Sequence, residues 1–194
     1  MRVDRAFTVL PVPGPQVTLD RCLEHLVAAA DEAAASGVET TVLLAVAGAG
    51  AAARALADWT PLVEVVDGVD LDAVVAGADL SPGGLLTAGA REALRRSATP
   101  ATALLLTTSP ATAVGTGWVL EHARHHRGGA LASTGPVRGG AGGRAHPVTA
   151  NLAVRLSVCA AAGWAGELPP RGTALVHAVT PVVGSLLTGS RLPS

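Results

Sequence analysis

The sequence predicts an α/β fold, a single domain with a mostly parallel sheet flanked by helices. Short apolar runs alternate with amphipathic segments, which is the pattern of strands joined by crossover helices. The run at 40–46 is apolar after its two threonines, as in a strand buried on both faces, and 194 residues suit one domain. Ligands on such sheets bind beyond the carboxyl ends of the strands. The turns after residues 10, 46 and 107 are therefore where we expect a site.

Proline, glycine and capping residues indicate the bounds of the elements. A strand at 6–10 ends at Pro11, and Thr18 is expected to cap a helix from 19 to about 36 that ends at Gly37. The Gly-rich stretch at about 135–145 is expected to be a mobile loop within one domain spanning 1–194. The other predicted elements are a turn at 47–50, a short helix from there to about 58, strands at 62–66 and 103–107, helices at 82–96 and 115–126, an extended segment at 150–154, helices at 156–162 and 173–179, and a strand at 182–187.

Composition excludes several classes of protein. The chain is 49% hydrophobic and 15% charged, which excludes disorder and a coiled coil. One Phe, three Trp and no Tyr provide no aromatic platform for single-stranded nucleic acid, and a net charge of −1 does not favour binding to DNA. The sequence lacks an apolar run of membrane-spanning length and a recognisable signal peptide. We therefore expect a cytoplasmic protein with no nucleic-acid partner and no membrane span.

Charge is distributed unevenly along the chain. Residues 1–121 contain 7 Arg and 14 acids, whereas residues 122–194 contain 7 Arg and a single acid, Glu167. Five of the six histidines also lie after residue 121. This asymmetry has two explanations, the binding of an anionic ligand and charge complementarity inside the fold.

Cysteines and histidines allow few metal sites. Cys22 and Cys159 are far apart and have apolar neighbours, so we expect core thiols and no metal site built on cysteine. His122 and His126 stand at i and i+4 of one predicted helix, a spacing that can chelate a metal. The alternative is a pair of surface or internally hydrogen-bonded histidines, because only Glu121 lies nearby in the sequence.

A dinucleotide-binding fingerprint is a minor alternative. Gly48, Gly50 and Ala53 match G-x-G-x-x-A after a predicted strand, and Asp67 follows about 20 residues further on. In dinucleotide-binding folds this turn follows the first strand, whereas here it follows the second.

Three stretches of the chain resemble family-2 glycosyltransferases, which have the GT-A fold, and in particular short actinobacterial members. Residues 107–114 read TTSPATAV and, with Trp118, are similar to S-T-D-A-D-[ST]-x-V followed by Trp. Residues 146–155 read HPVTANLAVR and resemble H-x-x-G-A-N-L-G-V-R, and residues 187–191 are similar to a T-S-x-R ending. The resemblance implies a nucleotide-diphospho-sugar transferase fold for most of the chain. A G/C-rich genome also fits the lack of Lys and Ile and the single Asn, Asn151.

The chain departs from that family at its acidic positions. The carboxylates that hold a divalent cation in the family are replaced by Ser109 and Ala111, and the acidic pair that supplies the base is replaced by Arg171 and Gly172. The turns after the first two predicted strands also lack the acids that grip the nucleotide. Hard cations need oxygen ligands, usually carboxylates, so we expect no metal and no cofactor.

The resemblance also implies which residues form the site, and several of them have an alternative structural role. His146 is a candidate base or a structural histidine, Glu167 a substitute base, and Arg171 a candidate to neutralise phosphate without a metal. Asn151 is either at the cleft wall or a turn cap, and Arg155 is structural or faces the acceptor. The predicted catalytic set is His146, Glu167 and Arg171, and the predicted substrate-binding set is Ser109, Ala111, Trp118, Asn151 and Arg155.

Two functional hypotheses follow from the resemblance and its departures. The first is a degenerate glycosyltransferase-like protein that has lost metal-dependent sugar transfer. It acts either as a non-catalytic partner (a pseudoenzyme) or as a repurposed enzyme on a small molecule, with natural-product biosynthesis as a setting. The second is an active, metal-independent glycosyltransferase that uses Arg residues in place of the metal. Both predict a small-molecule ligand in the cleft, with a protein partner or homo-oligomer as further alternatives.

Overall fold

The computed structural model describes residues 2–14, 18–77, 80–134 and 151–161, which form a six-stranded sheet with helices on both faces. The strands are β1 Arg5–Val12, β2 Glu39–Ala47, β3 Val69–Ala76, β4 Ala103–Thr107, β5 Ala132–Thr134 and β6 Leu152–Arg155. The helices are α1 Leu19–Ala35, α2 Ala49–Val63, α3 Pro82–Arg96, α4 Trp118–Arg127 and α5 Leu156–Ala161. None of the helices within these ranges has the length and apolar character needed to cross a bilayer.

The sheet has the strand order β3-β2-β1-β4-β6-β5. Strands β1 to β4 are parallel, β6 is antiparallel to β4, and β5 is antiparallel to β6. Leu152, at the start of β6, therefore pairs with Thr107, at the end of β4. We call this side of the sheet the carboxyl edge; it comprises the ends of β1 to β4 and the start of β6.

The core lies in two layers, one on each face of the sheet. Helices α1, α2 and α4 pack on the face that carries Leu10, Leu44 and Leu106, and helices α3 and α5 pack on the opposite face. Strand β2 is buried on both faces from Thr40 to Val46, as the apolar run at 40–46 predicts.

One glycine lets α3 lie directly against β1. A Cβ atom on Gly89 would stand 2.4 Å from Cγ1 of Val9, so any side chain at this position would force the helix and the strand apart.

Most predicted elements are confirmed. The helix at 82–96, the strand at 103–107 and the strand at 40–46 agree with α3, β4 and β2 to within one residue. Strand β1 continues through Pro11 to Val12. Pro11 lies beyond the last pair with β4, that of Val9 and Thr107, so its missing N–H costs nothing in that ladder. Thr18 stands at the N-terminus of α1, although its side chain makes no capping hydrogen bond.

The predicted strand at 62–66 is wrong. Helix α2 does not end near residue 58 but runs through Pro61 to Val63. Leu62, in its last turn, is 56% exposed, and Val65, just after the helix, is 81% exposed. The third strand is β3, which local pattern did not predict, because two acids interrupt its apolar residues. As an edge strand with only β2 beside it, β3 tolerates half-exposed polar residues.

Several predictions lie outside the described residues. These are the Gly-rich loop at about 135–145, the helix at 173–179 and the strand at 182–187. The assignment of residues 1–194 to one domain stays a prediction for the same reason. Strand β5, with only three residues, was not predicted.

Candidate functional site

The carboxyl edge brings together two segments that the resemblance nominates, the loop at 108–117 and Asn151. Since Thr107 pairs with Leu152, Thr108 and Asn151 are one position further out on the adjacent ends of β4 and β6. The backbone N–H of Thr108 donates to the carbonyl of Val9 at 3.3 Å. The Thr108 hydroxyl is buried and has no hydrogen-bond partner within the described part of the chain.

Hydrogen bonds to Ser109 hold the start of the loop at 108–117. The hydroxyl oxygens of Ser109 and Thr112 are 2.9 Å apart, and the Ser109 carbonyl accepts from the Thr112 N–H at 2.9 Å and from the Cys22 thiol at 3.5 Å. Ala111 is exposed. The loop contains no Asp or Glu, so the two positions that resemble the family's cation site present a hydroxyl and a methyl group.

Asn151 is anchored by two side chains from α4. Its Oδ1 accepts a hydrogen bond from the Trp118 indole N–H at 2.8 Å and lies 3.0 Å from Nε2 of His122. The rings of Trp118 and His122 meet edge to face with centroids 5.5 Å apart. All three residues are less than a tenth exposed, so the carbonyl oxygen of Asn151 is committed to α4.

The hydrogen bonds continue from His122 into β5. Nδ1 of His122 lies 2.6 Å from the Ser133 hydroxyl oxygen, and Nε2 of His126 lies 3.1 Å from the same oxygen. We call the connected side chains of Trp118, Asn151, His122, Ser133 and His126 the histidine chain. Sequence spacing pointed to His122 and His126 as a pair, but nothing in the sequence pointed to Ser133 as their common partner.

Donor and acceptor chemistry determines the direction of the histidine chain. An indole N–H can only donate, so Asn151 presents its carbonyl oxygen, and Nε2 of His122 must carry a proton to donate to it. Nδ1 of neutral His122 then accepts from the Ser133 hydroxyl, whose oxygen accepts from Nε2–H of His126. This assignment is inferred from the network of partners.

Both buried histidines favour the neutral form. Burial lowers the pKa of His122, against the opposing effect of its hydrogen bond to Asn151. Burial, and then the nearby charge of Arg155, lowers the pKa of His126 to about 4. The pair is therefore internally hydrogen-bonded, one of the two interpretations of the i, i+4 spacing.

Metal binding by these side chains is not supported. No group of three or more His, Cys, Asp or Glu side chains in residues 2–14, 18–77, 80–134 and 151–161 is placed to hold a metal ion. Cys22 and Cys159 are buried free thiols, as predicted, and burial raises the pKa of Cys22 to about 12. Burial also raises the pKa of Cys159.

Arg155 lies at the other end of β6, away from the carboxyl edge. It pairs with Leu104, near the start of β4, and is 1% exposed. Its guanidinium donates to the carbonyls of Ala130 at 3.2 Å and Ala101 at 3.1 Å, and also to the carbonyl of His126. Of its two predicted roles, this geometry supports the structural one.

The geometry contradicts the role of Asp67 in the dinucleotide interpretation. Gly48, with φ +101°, begins α2 at the carboxyl edge, whereas Asp67 precedes β3 at the opposite edge. Beside it, the carbonyl of Gly68 accepts from the N–H of Thr40 at the start of β2. The stretch of β2 from Thr40 to Ala47, about 23 Å long at roughly 3.3 Å per residue, separates Asp67 from a ligand at the start of α2.

The three predicted catalytic residues lie outside the described residues. His146, Glu167 and Arg171 fall in 135–150 and 162–194, so their placement relative to Ser109 and Asn151 stays a prediction.

Comparisons with known proteins identify the fold and no family. No family model matches the sequence, and no curated protein matches it. A solved structure of TarS residues 1–349 from S. aureus superposes with a TM-score of 0.51 and 9% identity, over 81% of this chain and 48% of that one. The protein has a nucleotide-diphospho-sugar transferase-like fold. It spans about half the length of the TarS structure.

A second solved structure is similar at a lower score. The crystal structure of 4-diphosphocytidyl-2C-methyl-D-erythritol synthase superposes with a TM-score of 0.49 and 12% identity, over 91% of this chain and 85% of that one. At these identities the similarity concerns the fold alone.

Proposed function

We propose that this protein is a degenerate family-2 glycosyltransferase-like protein that binds a small molecule at its carboxyl edge and has lost metal-dependent sugar transfer. The observation that carries the proposal is the loop at 108–117. It stands where the resemblance places the cation-binding carboxylates, yet it contains no acid, and its Ser109 hydroxyl is paired with Thr112.

The chemistry of a sugar donor explains why this loop matters. Departure of a nucleoside diphosphate needs its developing negative charge neutralised, and a divalent cation held by carboxylates supplies that neutralisation. The described turns after β1 and β2 contain no acid either. Asp20, in the first turn of α1, is exposed, and its Oδ1 accepts from the Trp59 indole at 3.0 Å; the exposed Glu32 and Glu121 carboxylates approach Gly117, at the end of the loop.

The groups that remain at the edge suit an uncharged polar ligand. Thr108 has a buried hydroxyl without a partner among the described residues, and the hydroxyls of the half-buried Ser109 and Thr112 lie 2.9 Å from each other. Hydroxyls donate and accept but carry no charge. We propose either a non-catalytic partner subunit or a repurposed enzyme on a small molecule, in the cytoplasm and in an actinobacterial biosynthetic setting.

The second candidate is a metal-independent glycosyltransferase, favoured by the excess of Arg over acids after residue 121. In it, Arg171 would neutralise the diphosphate, and His146 or Glu167 would accept the proton of the acceptor hydroxyl. This candidate predicts donor hydrolysis that is insensitive to EDTA and is lost in Arg171→Ala and His146→Ala. Hydrolysis unchanged in both variants would refute these assignments.

The test of the main proposal looks for metal dependence in the natural protein and in a variant with carboxylates restored to the loop. Calorimetry and turnover with UDP- and GDP-sugars, with and without Mn²⁺, are expected to show no metal-dependent binding or reaction in the natural protein. The double variant Ser109→Asp/Ala111→Asp is expected to gain at least tenfold in Mn²⁺-dependent nucleotide binding.

A matched control places the same added charge elsewhere in the loop. Ala113→Asp/Thr116→Asp changes two residues that are also exposed, and we expect no gain in Mn²⁺ dependence from it. Metal-dependent turnover by the natural protein would overturn the proposal. An equal response of the two double variants would also contradict it, because the missing carboxylates would then not explain the loss.

A further inference from the structure

The histidine chain joins three elements that are separate in the sequence. Trp118, His122 and His126 come from α4, Ser133 from β5, and Asn151 from the start of β6. His126 and His122 are 0% and 5% exposed, so both side chains are buried. Every hydrogen bond along the histidine chain has a donor and an acceptor when both histidines are neutral.

Protonation disturbs this arrangement at two points. A proton on Nδ1 of His122 would make the Ser133 oxygen accept from both rings and leave the Ser133 hydroxyl proton without its acceptor. A proton on Nδ1 of His126 would lie on a buried atom that is unpartnered in the neutral arrangement; backbone groups of Ala130 and Ala153 favour the charged ring, but burial outweighs them and lowers the pKa of His126. The Arg155 guanidinium, which donates to the His126 carbonyl, would add like-charge repulsion.

Charged groups on the surrounding elements do not offset the cost of protonating these two histidines. On α4, His125 opposes protonation of His122 and Glu121 favours it, and both are exposed. From α1, the exposed Glu32 carboxylate approaches Gly117, just before α4, and Arg127 of α4 donates to the Val3 carbonyl. Strands β4 and β5 carry no charged residue, and β6 contributes only Arg155.

We propose that the histidine chain is a pH-sensitive clamp, which holds Asn151 against α4 when both histidines are neutral and releases it when they are protonated. Two imidazolium rings that share Ser133 repel each other and Arg155, and they gain hydration only by leaving the interior. Their departure removes one partner of Asn151 and the ring that packs edge to face on Trp118. Acid therefore loosens the start of β6, next to Thr108, at the carboxyl edge. This inference does not depend on the proposed function.

The test follows the Trp118 indole N–H by NMR while the histidine rings titrate in the full-length protein. Between pH 7.5 and 4.5, we expect exchange of this proton relative to that of Trp59 to accelerate at least tenfold. The acceleration is expected to begin below about pH 6.5, where a released histidine ring takes up its proton, and to precede global unfolding. Trp59 serves as the reference because its indole donates to Asp20, outside the clamp.

Variants separate the clamp from a general effect of acid. His122→Gln/His126→Gln retains amide donors and removes both titrating groups, so the relative exchange of Trp118 is expected to stay constant down to pH 4.5. The comparison variant His125→Gln removes the exposed histidine between them and is expected to keep the acceleration, with onset at a slightly higher pH, because His125 opposes protonation of His122.

Two results would overturn the clamp. The first is a ratio of Trp118 to Trp59 exchange that stays constant between pH 7.5 and 4.5 in the natural protein. The second is unchanged acid sensitivity in the double glutamine variant. If that variant does not fold, the single variant His126→Gln provides the decision. It must shift the acid midpoint of Trp118 exchange downward, and an unshifted midpoint contradicts the proposal.

Discussion

Trp118 and Asn151 are joined by a 2.8 Å hydrogen bond that connects the first turn of α4 to the start of β6. The resemblance places both residues in a ligand cleft. The two atoms most suited to bind a ligand, the indole N–H and the amide oxygen, instead bond to each other in the interior. Asn151 Oδ1 also accepts from His122, so this amide connects two elements of the fold.

Removing the Asn151 amide should destabilise the protein. In Asn151→Ala, the N–H groups of Trp118 and His122 lose their acceptor while remaining buried, so we expect a loss of about 2–4 kcal/mol in the free energy of unfolding. Urea denaturation at pH 7.5 measures it. Asn151→Asp keeps an acceptor oxygen and should raise the pKa of His122 instead. A change below about 0.5 kcal/mol in the alanine variant would contradict the role assigned to the hydrogen bonds.

Stability should fall with acid between about pH 6.5 and 4. The folded-state pKa of His126 is about 4 and that of His122 is also lowered, whereas unfolded histidines titrate near 6.5. The unfolded state therefore binds more protons in this range, so the stabilising contribution is full above pH 6.5 and is lost as the pH falls. Denaturation at pH 7.5, 6 and 5 should show this slope. It should decrease by up to one proton in His126→Gln. A flat profile would contradict the neutral assignment.

Gly89→Ala should separate α3 from β1. The added Cβ would stand 2.4 Å from Cγ1 of Val9, so we expect a cost of about 1–3 kcal/mol or more, measured by thermal or urea unfolding. Val9→Ala in the same chain should recover part of that cost, giving a coupling in a double-mutant cycle. Gly50→Ala is the matched control. A Cβ at Gly50, in the first turn of α2, meets nothing within 4 Å, so this variant should be neutral or slightly stabilising. Equal costs for both substitutions would refute the close approach.

Arg155→Lys should lower stability and leave binding at the carboxyl edge intact. An ammonium cannot reproduce the planar donors that serve the carbonyls of Ala130, Ala101 and His126, so we expect a cost of about 2–4 kcal/mol. Urea unfolding tests the cost in stability, and calorimetry of the folded fraction with UDP- and GDP-sugars tests binding. Full stability with lost ligand affinity would restore a ligand-facing role for Arg155.

Local pattern predicted the interior of the sheet well. Strands β2 and β4 and helices α1 and α3 have strong periodicity or clear end signals, and their bounds agree with the structure to within a residue or two. The run at 62–66 shows where pattern fails. Its apolar residues resemble a strand, but α2 continues into them, and β3 forms from a segment whose acids hide its extended character. An edge strand needs only one neighbour, so its sequence is weakly constrained.

The candidate site also has a part that the sequence predicts and a part that depends on the tertiary structure. The lack of acids at 108–117 is a property of the sequence and would hold in any fold. The partners of Asn151 and the burial of Arg155 depend on the antiparallel pairing of β6 with β4, which no local pattern predicted. The i, i+4 spacing of His122 and His126 left two interpretations open, and Ser133 decided between them.

Taken alone, the sequence determined the α/β class, the buried central strands and the absence of cation-binding carboxylates in the loop after β4. These follow from residue chemistry and short-range periodicity. Only the tertiary structure decided that Trp118, His122 and Asn151 bond to one another and that Arg155 caps backbone carbonyls at the opposite edge. Trp118 and Asn151 are 33 positions apart, and contacts at that range depend on strand register and helix docking.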